Sequence, residues 1–108
     1  STEDRITQPY YTLGEFHMPY TIVNYSRETI FVQYKQTFPT GLIKKCNSAK
    51  VDYHISDGYQ LEIYAQSNNQ DISWGQLVIE NNATVYVHGR YSWDLNPQQH
   101  PEKPDFCP

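Results

Sequence analysis

The chain has no run approaching the ~20 consecutive apolar residues of a membrane helix, which excludes membrane insertion by that route. Basic residues are also few. Eight Lys and Arg stand against twelve Asp and Glu, for a formal net charge of -4. Nucleic-acid binding requires Lys and Arg gathered on one face. The one basic pair, Lys44-Lys45, reads as a solvated loop. Leucine is scarce and no stretch has a helical period. Internal repeats and low-complexity tracts are absent.

Chemical motifs are equally sparse. The four histidines, His17, His54, His88 and His100, form neither His-x-His nor His-Glu-x-x-His. Ser56-Asp57-Gly58 and Ser73-Trp74-Gly75 lack the Gly-x-Ser-x-Gly elbow of a hydrolase. Neither Cys46 nor Cys107 has a second cysteine or a histidine at zinc-ligand spacing, and there is no Cys-x-x-Cys. No metal or cofactor is expected. An acid–base pair for a small nuclease would need His88 to converge with Glu80 or Asp94 in a cleft.

Two cysteines remain in 108 residues, with no basic or apolar leader at Ser1. They predict one disulfide in a secreted, extracellular protein whose leader has been removed. The length allows a single core. Residues 1–94 are expected to form the domain, and 95–108 a proline-rich tail stapled to it by Cys46–Cys107. Pro97, Pro101, Pro104 and Pro108 cannot donate ladder bonds, so the tail is expected to cover an open sheet edge.

Aromatics make up 15% of the chain, including ten tyrosines, which favours strands. An edge strand is predicted near Tyr10–Leu13. Tyr20–Tyr25 and Thr29–Gln36 are predicted as a first strand pair around a polar turn at Asn24–Glu28. In the second strand, Ile30, Val32 and Tyr34 alternate with Phe31, Gln33 and Lys35. Leu42 and Ile43 lead to Cys46. Lys50–Ile55 and Tyr59–Ala65 then read as a hairpin. A three-residue loop, Ser56-Asp57-Gly58, would pair Val51 with Ile63 and put Gly58 in a left-handed bulge.

Gln66–Asp71 reads as a polar loop. Ile72–Glu80 and Thr84–Asp94 read as the next pair, with a primed turn at Asn81-Asn82. That register sets Trp74 against Gly89 and gathers Trp74, Val78, Val85, Val87, Tyr91 and Trp93 on one face. The other face would hold Leu77, Ile79, Tyr86 and His88, as a second packed surface or a contact surface. About six to eight short strands with regular turns predict an all-β, antiparallel sandwich.

Phe31, Tyr64, Tyr86 and His88 fall opposite the predicted core faces and are the candidate partner-binding residues. Tyr and Trp rings stack on the apolar faces of pyranoses, and aromatic residues are enriched at protein interfaces. Two sequons, at Asn24 and Asn82, lie at predicted turns and are candidate N-glycosylation sites.

The runs Ile22-Val23-Asn24-Tyr25-Ser26, Ile30-Phe31-Val32 and Asp57-Gly58-Tyr59-Gln60-Leu61-Glu62-Ile63 resemble the opening strands of secreted thaumatin-like β-sandwiches. Size, tyrosine content and the single disulfide resemble small secreted effector or elicitor proteins of plant-associated fungi. The many cysteines and the acidic cleft of thaumatin-like proteins are missing, so glucan cleavage is not implied. The effector resemblance implies virulence-related, non-catalytic binding of a host protein or glycan. The alternatives are a carbohydrate-binding module for wall glycan and a small secreted nuclease.

Overall fold

A computed structural model describes residues 19–34, 38–51, 59–80 and 82–108. The described residues are all-β, in two four-stranded sheets. The strands are β1 (Tyr20–Asn24), β2 (Thr29–Tyr34), β3 (Phe38–Pro39), β4 (Ser48–Val51), β5 (Tyr59–Ser67), β6 (Gln70–Ile79), β7 (Thr84–Gly89) and β8 (Ser92–Leu95). One sheet has the order β4-β1-β7-β8 and the other β3-β2-β5-β6. The predicted edge strand at Tyr10–Leu13 and the Ser56-Asp57-Gly58 bulge lie outside the described residues.

Alternation decides which side chains enter the core. Ile30 and Val32, then Leu61, Ile63 and Ala65, then Val85 and Val87 are all buried. Tyr20 and Ile22 of β1 join Val85 and Val87 from the same sheet, facing the β2 and β5 side chains. Burying such side chains contributes about 1.5–3 kcal/mol for each large one. The period of two therefore assigns faces correctly along β2, β5 and β7.

Partner assignment differs from the sequence expectation. β1 and β2 are not a hairpin, because the Asn24–Glu28 turn carries the chain from one sheet to the other. β4 pairs with β1, setting Val51 against Tyr20, whereas Ile63 pairs with Val32. In place of the predicted Val51–Ile63 hairpin, the chain passes from one sheet to the other between β4 and β5. β6 and β7 also lie in different sheets, so Trp74 and Gly89 are not ladder partners. β7 instead runs parallel to β1, with Ile22 beside Val85. The Thr84–Asp94 segment is itself a hairpin, turning at Arg90-Tyr91. The primed turn is at Asn68-Asn69, where φ is 53° and 63°, and it joins β5 to β6 inside the expected polar loop. Two successive positive φ values suit asparagine and match the twist of a hairpin.

The largest correction concerns β6. The β5–β6 register shifts at Ile63/Tyr64, pairing Ile63 with Gly75 but Tyr64 with Ser73. Trp74 is the extra residue of a β-bulge. Before the bulge Ile72 and Trp74 point inward; after it Leu77 and Ile79 do, and Val78 is 52% exposed. An unbroken alternation would have buried Val78 and exposed Leu77. Gly75 completes the bulge at φ +122°, a conformation that side chains rarely adopt. A Cβ on Gly75 would lie 2.9 Å from Trp93 Cη2 and 3.0 Å from Tyr91 Cδ1. The glycine that admits an indole is therefore Gly75, and the indole is that of Trp93.

Gly75→Ala is expected to lower stability by at least about 2 kcal/mol, from backbone strain and the collision with Trp93. Gly41, with open space around its Cβ position, is the control. Urea unfolding should leave Gly41→Ala within about 1 kcal/mol of wild type.

Cys46 and Cys107 form the predicted disulfide, closing a separation of 61 residues. The tail leaves β8 with Asn96 clamped to Thr84, Asn96 N to Thr84 O and Thr84 N to Asn96 Oδ1, both 2.8 Å. His100 then meets Tyr86, on a strand with neighbours on both sides. Phe106 lies under the Arg27 guanidinium, 4.2 Å from it. The tail therefore crosses the outer face of the β4-β1-β7-β8 sheet rather than covering an edge.

Candidate functional site

The four aromatic and histidine candidates divide between the two outer faces. Tyr86 and His88 project from β7 beneath and beside the tail. Tyr86 is only 7% exposed, and its hydroxyl is hydrogen-bonded to His100 Nδ1. Tyr25 packs at 5.5 Å from Tyr86 and 6.3 Å from His88, ring to ring. His88 Nε2 bonds Asp94 Oδ2 at 2.9 Å. Tyr86 is thus engaged within the molecule, while His88 is partly open. No group of three or more His, Cys, Asp or Glu is placed to hold a metal among the described residues.

Phe31 and Tyr64 occupy the opposite outer face, that of the β3-β2-β5-β6 sheet. They are a cross-strand pair with rings stacked at 5.1 Å and 11°. Such pairs contribute about 0.5–1.5 kcal/mol beyond buried area. Both rings remain partly accessible. A second cross-strand row, Gln33, Glu62 and Gln76, lies two residues along the strands. The first row continues from Tyr64 to Ser73.

Glu62 is the centre of the second row and was not among the sequence candidates. Tyr64 donates its hydroxyl to Glu62 Oε1 at 3.0 Å, and Ser73 donates to Oε2 at 2.5 Å. The Ser73 bond, aided by Tyr64 and Gln76, holds the carboxyl below its ordinary value of 4.5 against the opposing cost of burial. Burial, then the neighbouring carboxylate, pushes the Tyr64 phenol above its ordinary 10.0.

The bulge builds this cluster. Residues 73 and 76 are three apart and would point to opposite faces of a regular strand. With Trp74 inserted, Ser73 and Gln76 both face outward and flank Glu62. Ser73 Oγ also accepts from Gly75 N at 3.3 Å. Bulges commonly re-aim side chains beside functional sites. An i, i+3 spacing of polar residues around a glycine is the trace this leaves in the sequence.

Because the folded-state pKa of Glu62 is depressed, the unfolded chain binds more protons in acid. The contribution is present above pH 4.5 and is lost as pH falls through the folded value. Urea midpoints measured against pH should fall less steeply on the acid side for Glu62→Gln than for wild type.

A further aromatic lies at the β7–β8 tip. Tyr91, expected in the core, is 68% exposed at φ 58° and donates its N–H to Trp74 O at 2.9 Å. It ties the hairpin tip to the bulge, and Arg90 lies 5.1 Å from its ring centre. The turn at Gly89-Arg90-Tyr91 was concealed by reading the surrounding alternation as one strand.

The two sequons also separate. Asn82 is exposed at φ 65°. Asn24 is fully buried at the end of β1. Its Nδ2 donates to Glu28 O at 2.7 Å and Ile43 O at 2.8 Å, using both amide hydrogens. Its Oδ1 accepts from Ser26 N and Ser26 Oγ at 2.9 and 2.6 Å. The folded chain has no room for a glycan there, and Asn24 is a structural residue.

Among the described residues no helix is long and apolar enough to cross a membrane. No family model, curated protein or solved structure matches the chain.

Proposed function

We propose that the protein is a secreted, non-catalytic binding domain of the host-interaction kind, and that its partner occupies the outer face of the β3-β2-β5-β6 sheet. The observation that carries this reading is the partly exposed Phe31–Tyr64 stack beside a carboxylate fixed by Ser73 and Tyr64. Aromatic rings set in a rigid sheet bind without a large ordering cost, and a preorganised polar group adds direction. On the opposite outer face the tail engages Tyr86, whereas Phe31 and Tyr64 form an accessible pair of stacked rings. The disulfide is compatible with an oxidising, extracellular compartment.

The test is retention of labelled protein on an isolated extracellular-matrix or cell-wall preparation. Phe31→Ala/Tyr64→Ala should lose at least about tenfold in affinity while His88→Ala is retained like wild type. Thermal melts confirm that each variant is folded. Equal retention of the double variant would sink the proposal.

A further inference from the structure

We infer that the ligand of this face is a neutral polysaccharide chain, lying across β2, β5 and β6 with its pyranose rings against Phe31 and Tyr64 and its hydroxyls on Glu62, Gln33 and Gln76. This deepens the binding-face proposal and rests on it. Three features select the ligand chemistry: charge, the donor–acceptor set and shape.

Strands β2, β3, β5 and β6 contain no Lys or Arg. An anionic polymer, whether nucleic acid or acidic glycan, would find no cation on these strands and would meet the Glu62 carboxylate. A cationic peptide would favour an acidic group free of donors. Glu62 is instead held by the hydroxyls of Ser73 and Tyr64, with Gln76 as a further donor, so it is fixed as an oriented hydrogen-bond acceptor. Each carboxylate oxygen has two lone-pair sites and can accept a further bond from a ligand.

Gln33 and Gln76 flank Glu62 on either side in cross-strand register. Each carboxamide both donates and accepts. A hydroxyl also does both, so a row of amide, carboxylate and amide matches vicinal hydroxyls. Ring faces complement the C–H faces of a pyranose. The two rows lie about 7 Å apart along the strands, and each spans roughly 10 Å across three strands. That is an extended, shallow surface, suited to a chain of sugars rather than to an enclosed small molecule. The depression lined by Gln60, Leu61, Glu62 and Gln76 lies on it.

The experiment treats the same matrix preparation in two ways before wild-type protein is added. Periodate cleaves vicinal diols of the polysaccharide; protease removes protein. Binding lost after periodate and retained after protease supports the inference, with Glu62→Ala reducing retention at least about tenfold and Glu62→Gln less. Binding that survives periodate, or that protease abolishes, overturns the glycan assignment. The binding-face proposal then still stands if Phe31→Ala/Tyr64→Ala remains defective. Failure of wild type to bind any untreated matrix overturns both.

Discussion

A Cys46→Ser/Cys107→Ser variant is expected to lose about 4 kcal/mol of stability and roughly 20 °C in melting temperature. The bridge closes a separation of 61 residues, and the chain-entropy model gives that magnitude for a loop of such length. The structure adds a local consequence. Cys46 is held at φ 70° by its N–H bond to Asn24 O at 2.7 Å, so its half of the bridge is fixed by the body. Cys107 ends a tail whose other anchors among the described residues are the Asn96–Thr84 clamp, the His100–Tyr86 contact and the Arg27–Phe106 contact. Without the bridge, the contacts that segments beyond Asn96 make with the described residues are worth about 1 kcal/mol each. Tyr86 should then become reactive to N-acetylimidazole, as mapped by mass spectrometry, at a temperature where the domain remains folded. Stability within about 1 kcal/mol of wild type, with Tyr86 still protected, would show that the tail docks without its staple.

Asn24→Ala should destabilise by about 3 kcal/mol or more, far above the usual effect of removing one polar side chain. The carboxamide joins three segments at the point where the chain leaves one sheet for the other. It supplies donors to Glu28 O and Ile43 O and accepts from Ser26, with Asn24 and Ser26 themselves fully buried. Alanine would leave Ser26 N without its acceptor, and Glu28 O with only the longer bond from Ser26 Oγ. Ile43 O would keep only its bond from Ile30 N. Asn24→Asp should be at least as damaging, because it removes both donors and places a charge beside two carbonyls. Urea unfolding of both variants checks this. If Asn24→Asp were tolerated, the side chain would have to be solvated, contrary to its complete burial.

The period of two made the inner faces of β2, β5 and β7 legible, and with them the outward placement of Phe31 and Tyr64. The even cysteine pair made the staple legible. Alternation says which side chains are buried, but both sheets bury one face against a common core. It therefore could not distinguish a hairpin from a crossing at Asn24–Glu28, between β4 and β5, or between β6 and β7. The parallel contact of β1 with β7 joins residues more than sixty positions apart, and no local signal encodes it. Asn24 carried a sequon and a turn-like neighbourhood, and the burial that gives it its role comes from Ile43 and Cys46. Glu62 and Ser73 were missed because the bulge at Trp74–Gly75 resets the alternation between them and Gln76. A fixed period through residues 72–80 sends Ser73 and Gln76 to opposite faces.

The most direct measurement of the binding face is an amide-resolved NMR titration of the intact, oxidised protein with soluble neutral oligosaccharides from the matrix that retains it. Saturable shifts are expected at Phe31, Gln33, Glu62, Tyr64, Ser73 and Gln76 alone, with Tyr86, His88 and the tail unmoved. Shifts centred on Tyr25, Tyr86 and His88, or on the Arg90-Tyr91 tip, with the Phe31–Tyr64 row silent, would contradict the binding-face proposal.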